Sequence, residues 1–240
     1  MRFKFSRRAG EVSRNVSIAI NRHLCHLIAM KWEELLKIIQ ANPVFSSSLL
    51  LAGRRSASDV RRQLDRWVKS GRLLQLRRGI YAVAPPYQTD APHPFLVANH
   101  LRRPSYVSLQ SALSHYGMIP EFVPVTTSVT TGRPEELQTP LGRFLFRHVK
   151  KAAFFGYRQT EISRGQRVFL ASPEKALLDL LYLTPASDSS AFLEELRFGP
   201  ADHFDWHTLR TDAERIGGPK LKKAIELMAR ITAGKSDQEL

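Results

Sequence analysis

The sequence predicts an α+β protein in two parts, a small helical module closed by a β-hairpin and a larger mixed α+β C-terminal domain. Three observations predict it. Between residues 31 and 71, apolar side chains recur at three- and four-residue spacing in short, well-punctuated stretches. A strand-prone run, LLQLRRGIYAVAPP, follows at once and is folded by Arg77-Arg78-Gly79, where glycine makes positive φ cheap. Beyond a proline-rich break at Pro85 to Pro94, helical and β-branched stretches alternate to the end of the chain.

Each element has its own signal. In KWEELLKIIQ (Lys31 to Gln40), Trp32, Leu35, Leu36 and Ile39 form one helical face, and Asn42-Pro43 stops it. In SSSLLLAG, Ser46 or Ser47 can cap a short second helix that Gly53 ends. A third helix takes Ser56 or Ser58 as N-cap, turns Val60, Leu64, Trp67 and Val68 inward, and ends at Gly71. Its other face holds Arg61, Arg62, Asp65 and Lys69, with Arg54 and Arg55 on the turn before it. Three short helices and a hairpin within about 55 residues is the order of a winged helix-turn-helix, whose second motif helix enters the major groove while the wing touches the flanking backbone.

Past the break, Phe95 to Leu101 reads as helix, and YVSLQSALSHYG (Tyr106 to Gly117) as one helix capped by Ser108 with Leu109, Ala112, Leu113 and Tyr116 on one face. Val123 to Thr131, Gly142 to Val149 and Arg167 to Leu170 read as strands. ASPEKALLDLLYL, with Ser172 as N-cap and Pro173 at the first helical position, reads as a buried helix. Two more helices, parted by Gly217-Gly218-Pro219, fill Phe192 to Ile231. The expected organisation is therefore an extension over 1–29, a winged module over 30–85, a linker over 86–94 and the α+β domain over 95–240. The extension reads equally as a functional basic arm or as sequence upstream of a true start at Met30.

Charge narrows the partners. The 240 residues carry a net charge of +14, distributed as +12 over 1–85, +4 over 86–165 and −2 over 166–240. A bias of that kind favours polyanions. The stretch Asp59 to Tyr81 alone holds seven Arg or Lys against two Asp, concentrated against their own repulsion on one small module. Duplex DNA is the preferred partner because this geometry suits the major groove. Arg55, Ser56, Ser58, Arg61 and Arg62, near the start of the third helix, are placed for base or near-base contact, and Arg72, Arg77 and Arg78 for phosphates. Arg54, Arg66 and Lys69 complete the expected DNA-binding set.

Other classes find little support. One cysteine, Cys25, allows no internal disulfide, and the histidines have no metal spacing, so the expectation is a cytosolic protein with no structural metal and no cofactor. The segment Val16 to Met30 is too polar to span a membrane or to serve as an export signal. Ser111 and His115 sit four apart but lack a recognisable orienting acid and oxyanion site, so they read as polar positions on an outer face. Glu174, Lys175 and Asp179 lack nuclease spacing; Glu174 suits a helix N-terminus, and Lys175 and Asp179 suit an i, i+4 pair. TTGRPEE lacks the glycines and lysine of a phosphate loop. No catalytic residue is expected.

The ordered series RRQLDRWVKSGRLLQLRRGIYAVAP, YVSLQSALSHYGMIPE, SVTTGRP, TPLGRFLFRHV, FFGYR and ASPEKALLDLLYL resembles the AbiEi-type antitoxins of bacterial type IV toxin-antitoxin, or abortive-infection, systems. The resemblance runs from about Met30 to about Arg230. It implies a winged module that represses its own operon at repeats upstream, and a C-terminal domain that neutralises a nucleotidyltransferase-like toxin encoded beside it. Two other functions compete with it. One is a stand-alone transcription factor whose C-terminal domain senses a ligand or oligomerises, and the other is a nuclease targeted by the winged module.

Overall fold

The computed structural model describes residues 30–39, 42–51, 56–121, 123–200 and 204–236. The chain divides into two units, one reaching to Gln75 and including Tyr81–Thr89, the other comprising Leu76–Ile80 and everything from Asp90 on.

In the first unit, helix α1 spans Trp32–Ile39, strand β1 Val44–Ser46, a 3-10 turn Ser47–Leu51, helix α2 Ala57–Lys69, and strands β2 Leu73–Arg77 and β3 Ile80–Val83 form the hairpin. Leu35 and Ile39 of α1, Leu50, and Val60, Leu64 and Trp67 of α2 enclose one small core with Phe45, Leu73, Tyr81 and Val83. Trp67 meets Trp32 edge-on at 5.2 Å, and Phe45 stacks on Tyr81 at 5.9 Å. Gly79 takes φ 83° at the hairpin turn, a region only glycine enters without cost. The expected second helix is corrected to five residues of 3-10 turn. Its segment is too short to offset helix nucleation, and Val44 and Phe45 before it extend instead as the first strand of a sheet ordered β1-β3-β2.

The second unit is built on a six-stranded mixed sheet ordered β6-β7-β5-β4-β9-β8. Helix α3, Pro94–Leu101, leads to β4, Ser105–Val107, and helix α4, Leu109–His115; β5 is Val125–Thr130, β6 Glu135–Thr139, β7 Gly142–His148, β8 Tyr157–Ser163 and β9 Gln166–Ala171. Helix α5, Pro173–Leu183, is followed by α6, Ser190–Glu195, α7, Trp206–Ile216, and α8, Pro219–Ser236. The tail thus holds three helices where the sequence suggested two, and its glycine break falls between α7 and α8.

Two more expectations are corrected. Tyr106 to Gly117 is strand β4 and then helix α4, because Tyr106 and Val107 pair with Val129 and Ser128 of the neighbouring strand. Ser108 stands at the expected N-cap, but its hydroxyl donates to Asp179 at 2.8 Å rather than capping. Ser111 is buried, not on an outer face, and its hydroxyl donates to the Val125 carbonyl at 3.2 Å and accepts from the Thr127 amide at 2.8 Å. At α5 the sequence signals hold, with Pro173 in the first turn and the Ser172 hydroxyl accepting from the Lys175 amide at 3.2 Å. Lys175 and Asp179 are fully buried and ion-paired, and Asp179 also accepts from Tyr106 and Ser108.

Candidate nucleic-acid interface

The candidate site is the solvent face of α2; the tip of the hairpin that follows is described by itself, with the second unit. Burying Val60, Leu64 and Trp67 fixes the rotation of α2, and helical periodicity then turns Ser58, Arg61, Arg62, Asp65, Arg66 and Lys69 outward. All six are exposed. Ser56 occupies the N-cap with extended backbone and makes no side-chain cap; its hydroxyl lies 2.7 Å from that of Ser58. Both hydroxyls sit at the N-terminal end of the helix, where backbone donors also point outward.

The cations differ in what holds them. Arg62 donates to Asp59 at 2.7 Å and Lys69 pairs with Asp65 at 2.9 Å, yet their side chains remain 67% and 76% exposed. Pairs that open to water contribute about 0–1 kcal/mol, so a phosphate can displace the carboxylate. Arg66 reaches Gln63 at 3.4 Å, and neither Arg61 nor Arg66 has a carboxylate partner among the described residues. Arg72 is half-buried, its guanidinium carbon 5.5 Å from the Trp32 ring centre and 5.7 Å from that of Tyr87, an aromatic setting that orients it without neutralising it.

The hairpin tip groups with the second unit. There Arg77 donates to Glu135 at 3.0 Å and to the Leu101 carbonyl at 3.3 Å, and Arg102 donates to the same carboxylate oxygen at 3.2 Å. One carboxylate between two guanidiniums leaves net positive charge, but Arg77 is held in place. Its neighbour Arg78 is exposed and has no carboxylate partner among the described residues. Arg54 and Arg55 lie outside the described residues.

The structure therefore brings Ser56, Ser58, Arg61, Arg62, Arg66 and Lys69 together on one helix face; Arg72 belongs to the same unit, just before β2, and Arg77 and Arg78 at the hairpin tip belong to the second. Sequence reading missed the partners that orient two of them. Trp32 and Tyr87 around Arg72 are 40 and 15 residues away from it, and Glu135 is 58 residues away from Arg77. Nothing comparable appears around Ser111 and His115, since the Ser111 hydroxyl is engaged with β5 and the His115 ring stands against Phe95 and Tyr116. No group of three metal-ligating side chains occurs among the described residues, and none of their helices is long and apolar enough to cross a membrane.

A cationic helix face set on a small apolar core is the kind of surface that attracts polyanions. Residues 37–84, from within α1 to just past β3, match the family described as a transcriptional regulator, the AbiEi antitoxin. The match is confined to those residues and names the same family as the resemblance. No curated protein matches the chain.

Proposed function

We propose that the chain is a non-enzymatic, cytosolic antitoxin that represses its own operon through a winged helix-turn-helix and neutralises a cognate nucleotidyltransferase-like toxin. One observation carries the reading: α2 buries its apolar stripe and leaves five cationic or hydroxylic side chains of the expected recognition surface in solvent, inside the segment that matches the antitoxin family.

In this reading α2 lies in the major groove. Ser56, Ser58, Arg61 and Arg62 meet base edges, with Arg forming bidentate contacts to guanine where the sequence offers it. Arg66, Lys69, Arg72 and Arg78 take phosphates, and Arg77, tied to Glu135, sets the position of the hairpin tip. Arg54 and Arg55 enter by their place in the sequence before α2. Each phosphate contact releases condensed counterions, so affinity for any duplex falls steeply with salt. Base contacts then decide which duplex is kept.

The test is a footprint and titration on the DNA upstream of the gene. Arg61→Ala or Arg62→Ala should weaken binding to that DNA by about 1–3 kcal/mol and to random duplex by much less. Equal losses on both would remove these residues from base contact. Arg78→Ala should instead lower the slope of log K against log salt by about one contact for every duplex. The antitoxin half is tested by co-expression with the adjacent nucleotidyltransferase-like reading frame, where failure to restore growth would sink it.

A further inference from the structure

In the second unit, helices α4 and α5 leave part of one sheet face uncovered. Side chains alternate along a strand, and the β5–β7 register sets Val125 and Thr127 opposite Arg143 and Leu145, with Arg147 next on the same face. Beside them opens a cleft of about 400 Å³, within the range that small-molecule sites occupy. Leu109, Val123, Leu145, Leu180 and Leu183 supply the apolar part of its lining, beside Gln110 and Thr184.

The polar groups at its rim do not cancel. Glu136 is taken by Arg143 at 2.5 Å, and one oxygen of Glu121 by two nitrogens of Arg197 at 2.8 and 3.1 Å. That leaves Arg147. It is half-buried, donates to the Leu183 carbonyl at 2.9 Å, and has no carboxylate partner among the described residues. A guanidinium carries five N–H donors in a planar fork, so one carbonyl leaves it able to receive an oxyanion. Leu109, in the lining, is held at φ 59°, a left-handed conformation that strains a branched residue and that gathers at binding sites.

We propose that this cleft binds a small apolar acid, a single carboxylate on an aryl or alkyl body, with Arg147 as the anchor. The apolar part of the lining takes the body and excludes water from the ion pair, which makes that pair stronger than on an open surface. The proposal stands apart from the DNA reading and requires no part of it. Because the cleft is made of α4, α5 and the sheet, occupancy should stiffen the second unit.

The matched probes are 1-naphthaleneacetate and its neutral amide, titrated calorimetrically into the full chain. The acid should bind saturably and at least about tenfold more tightly than the amide, since a charge-assisted pair contributes about 1.5–3 kcal/mol. Arg147→Gln should lose about tenfold or more for the acid and leave the amide unchanged, whereas Arg143→Gln, whose partner is Glu136, should leave the acid within about threefold. Should Arg147→Gln fail to fold, Leu145→Glu decides, because a carboxylate in the lining must repel the acid. Equal binding of acid and amide overturns the proposal, as does acid binding unchanged in Arg147→Gln or Leu145→Glu, or no saturation into the millimolar range.

Discussion

At the scale of residues, the second unit is organised around one buried charge pair. Lys175 and Asp179 are both fully buried; Asp179 takes hydrogen bonds from Lys175, Tyr106 and Ser108, and the Lys175 ammonium lies 4.9 Å from the Phe155 ring centre. Burial pushes the Asp179 carboxyl above its ordinary range, while the ammonium and the two hydroxyls work against that rise. Breaking such a pair leaves a stranded charge and costs about 3–5 kcal/mol, whereas removing both charges in matching shapes can be neutral. Lys175→Met should therefore destabilise the protein by about that amount at pH 7. The double variant Lys175→Met with Asp179→Asn, which keeps an acceptor for Tyr106 and Ser108, should recover most of it. Since the lone carboxyl of Lys175→Met would have a raised folded pKa, its penalty should shrink as pH falls toward the unfolded value. Urea melts of the single and double variants at pH 7 and pH 5 check all three statements, and a double variant as unstable as the single one would refute the account. Gly156 is part of the same arrangement, because at φ 71° a Cβ there would come within 2.9 Å of Lys175 Cγ.

Among the elements, α2 decides what the first unit can offer a partner. Trp67 is 5% exposed and rests on Trp32, so its loss removes the contact that fixes the helix's rotation. Trp67→Ala should cost about 3–5 kcal/mol and abolish DNA binding together with the fold of the unit. A variant with an unchanged melting curve would mean that α2 presents another face to solvent. The rotation of α2 was legible in the sequence because an apolar stripe at Val60, Leu64 and Trp67 admits one buried face. So were β5, β7 and β9, whose β-branched and aromatic residues pack, and α5, with its serine cap and proline. Strands β6 (EELQT) and β8 (YRQTEIS) were not. They are the outer strands of the sheet, largely open to water, so no apolar alternation marks them. Strand β4 was lost inside a helical pattern because Tyr106 and Val107 satisfy helical spacing as well as they satisfy a buried strand. The cleft was invisible for a related reason: Arg147 stands beside Leu183 only after β7 and the end of α5 are brought together.

At the scale of the molecule, three histidines of the second unit lower its stability in acid over a range above that in which its ion-paired surface carboxylates titrate. Burial lowers the pKa of His93, His100 and His115; that of His100 is brought down to about 4, with Arg103 adding repulsion, and His93 is further lowered by His115. Folded, His100 stays neutral to about pH 4, and His93 and His115 take up a proton at lower pH than they do unfolded. Unfolded, each takes a proton near pH 6.5. Protons bound only by the unfolded chain favour unfolding, so stability is whole above about pH 6.5 and declines as pH falls toward the folded values. His100 alone accounts for a loss of up to about 3 kcal/mol by pH 4, since every tenfold difference in proton affinity between the two states is worth about 1.4 kcal/mol. The carboxylates whose partners lower them, Glu121, Asp188 and Asp205, act in a different window, because their contribution is lost only below the ordinary carboxylate pKa. Between pH 6.5 and 4.5 the imidazoles therefore lower stability, opposed by Asp179 and Asp212, whose raised pKa values let the folded state take up their protons first. The melting temperature should drop across that interval by about 2–4 °C for each kcal/mol lost. His100→Asn should flatten the drop by close to one proton, and His93→Asn with His115→Asn should flatten it further. If both variants follow the slope of the unaltered chain, those rings are protonated in the folded protein and burial does not set the acid response.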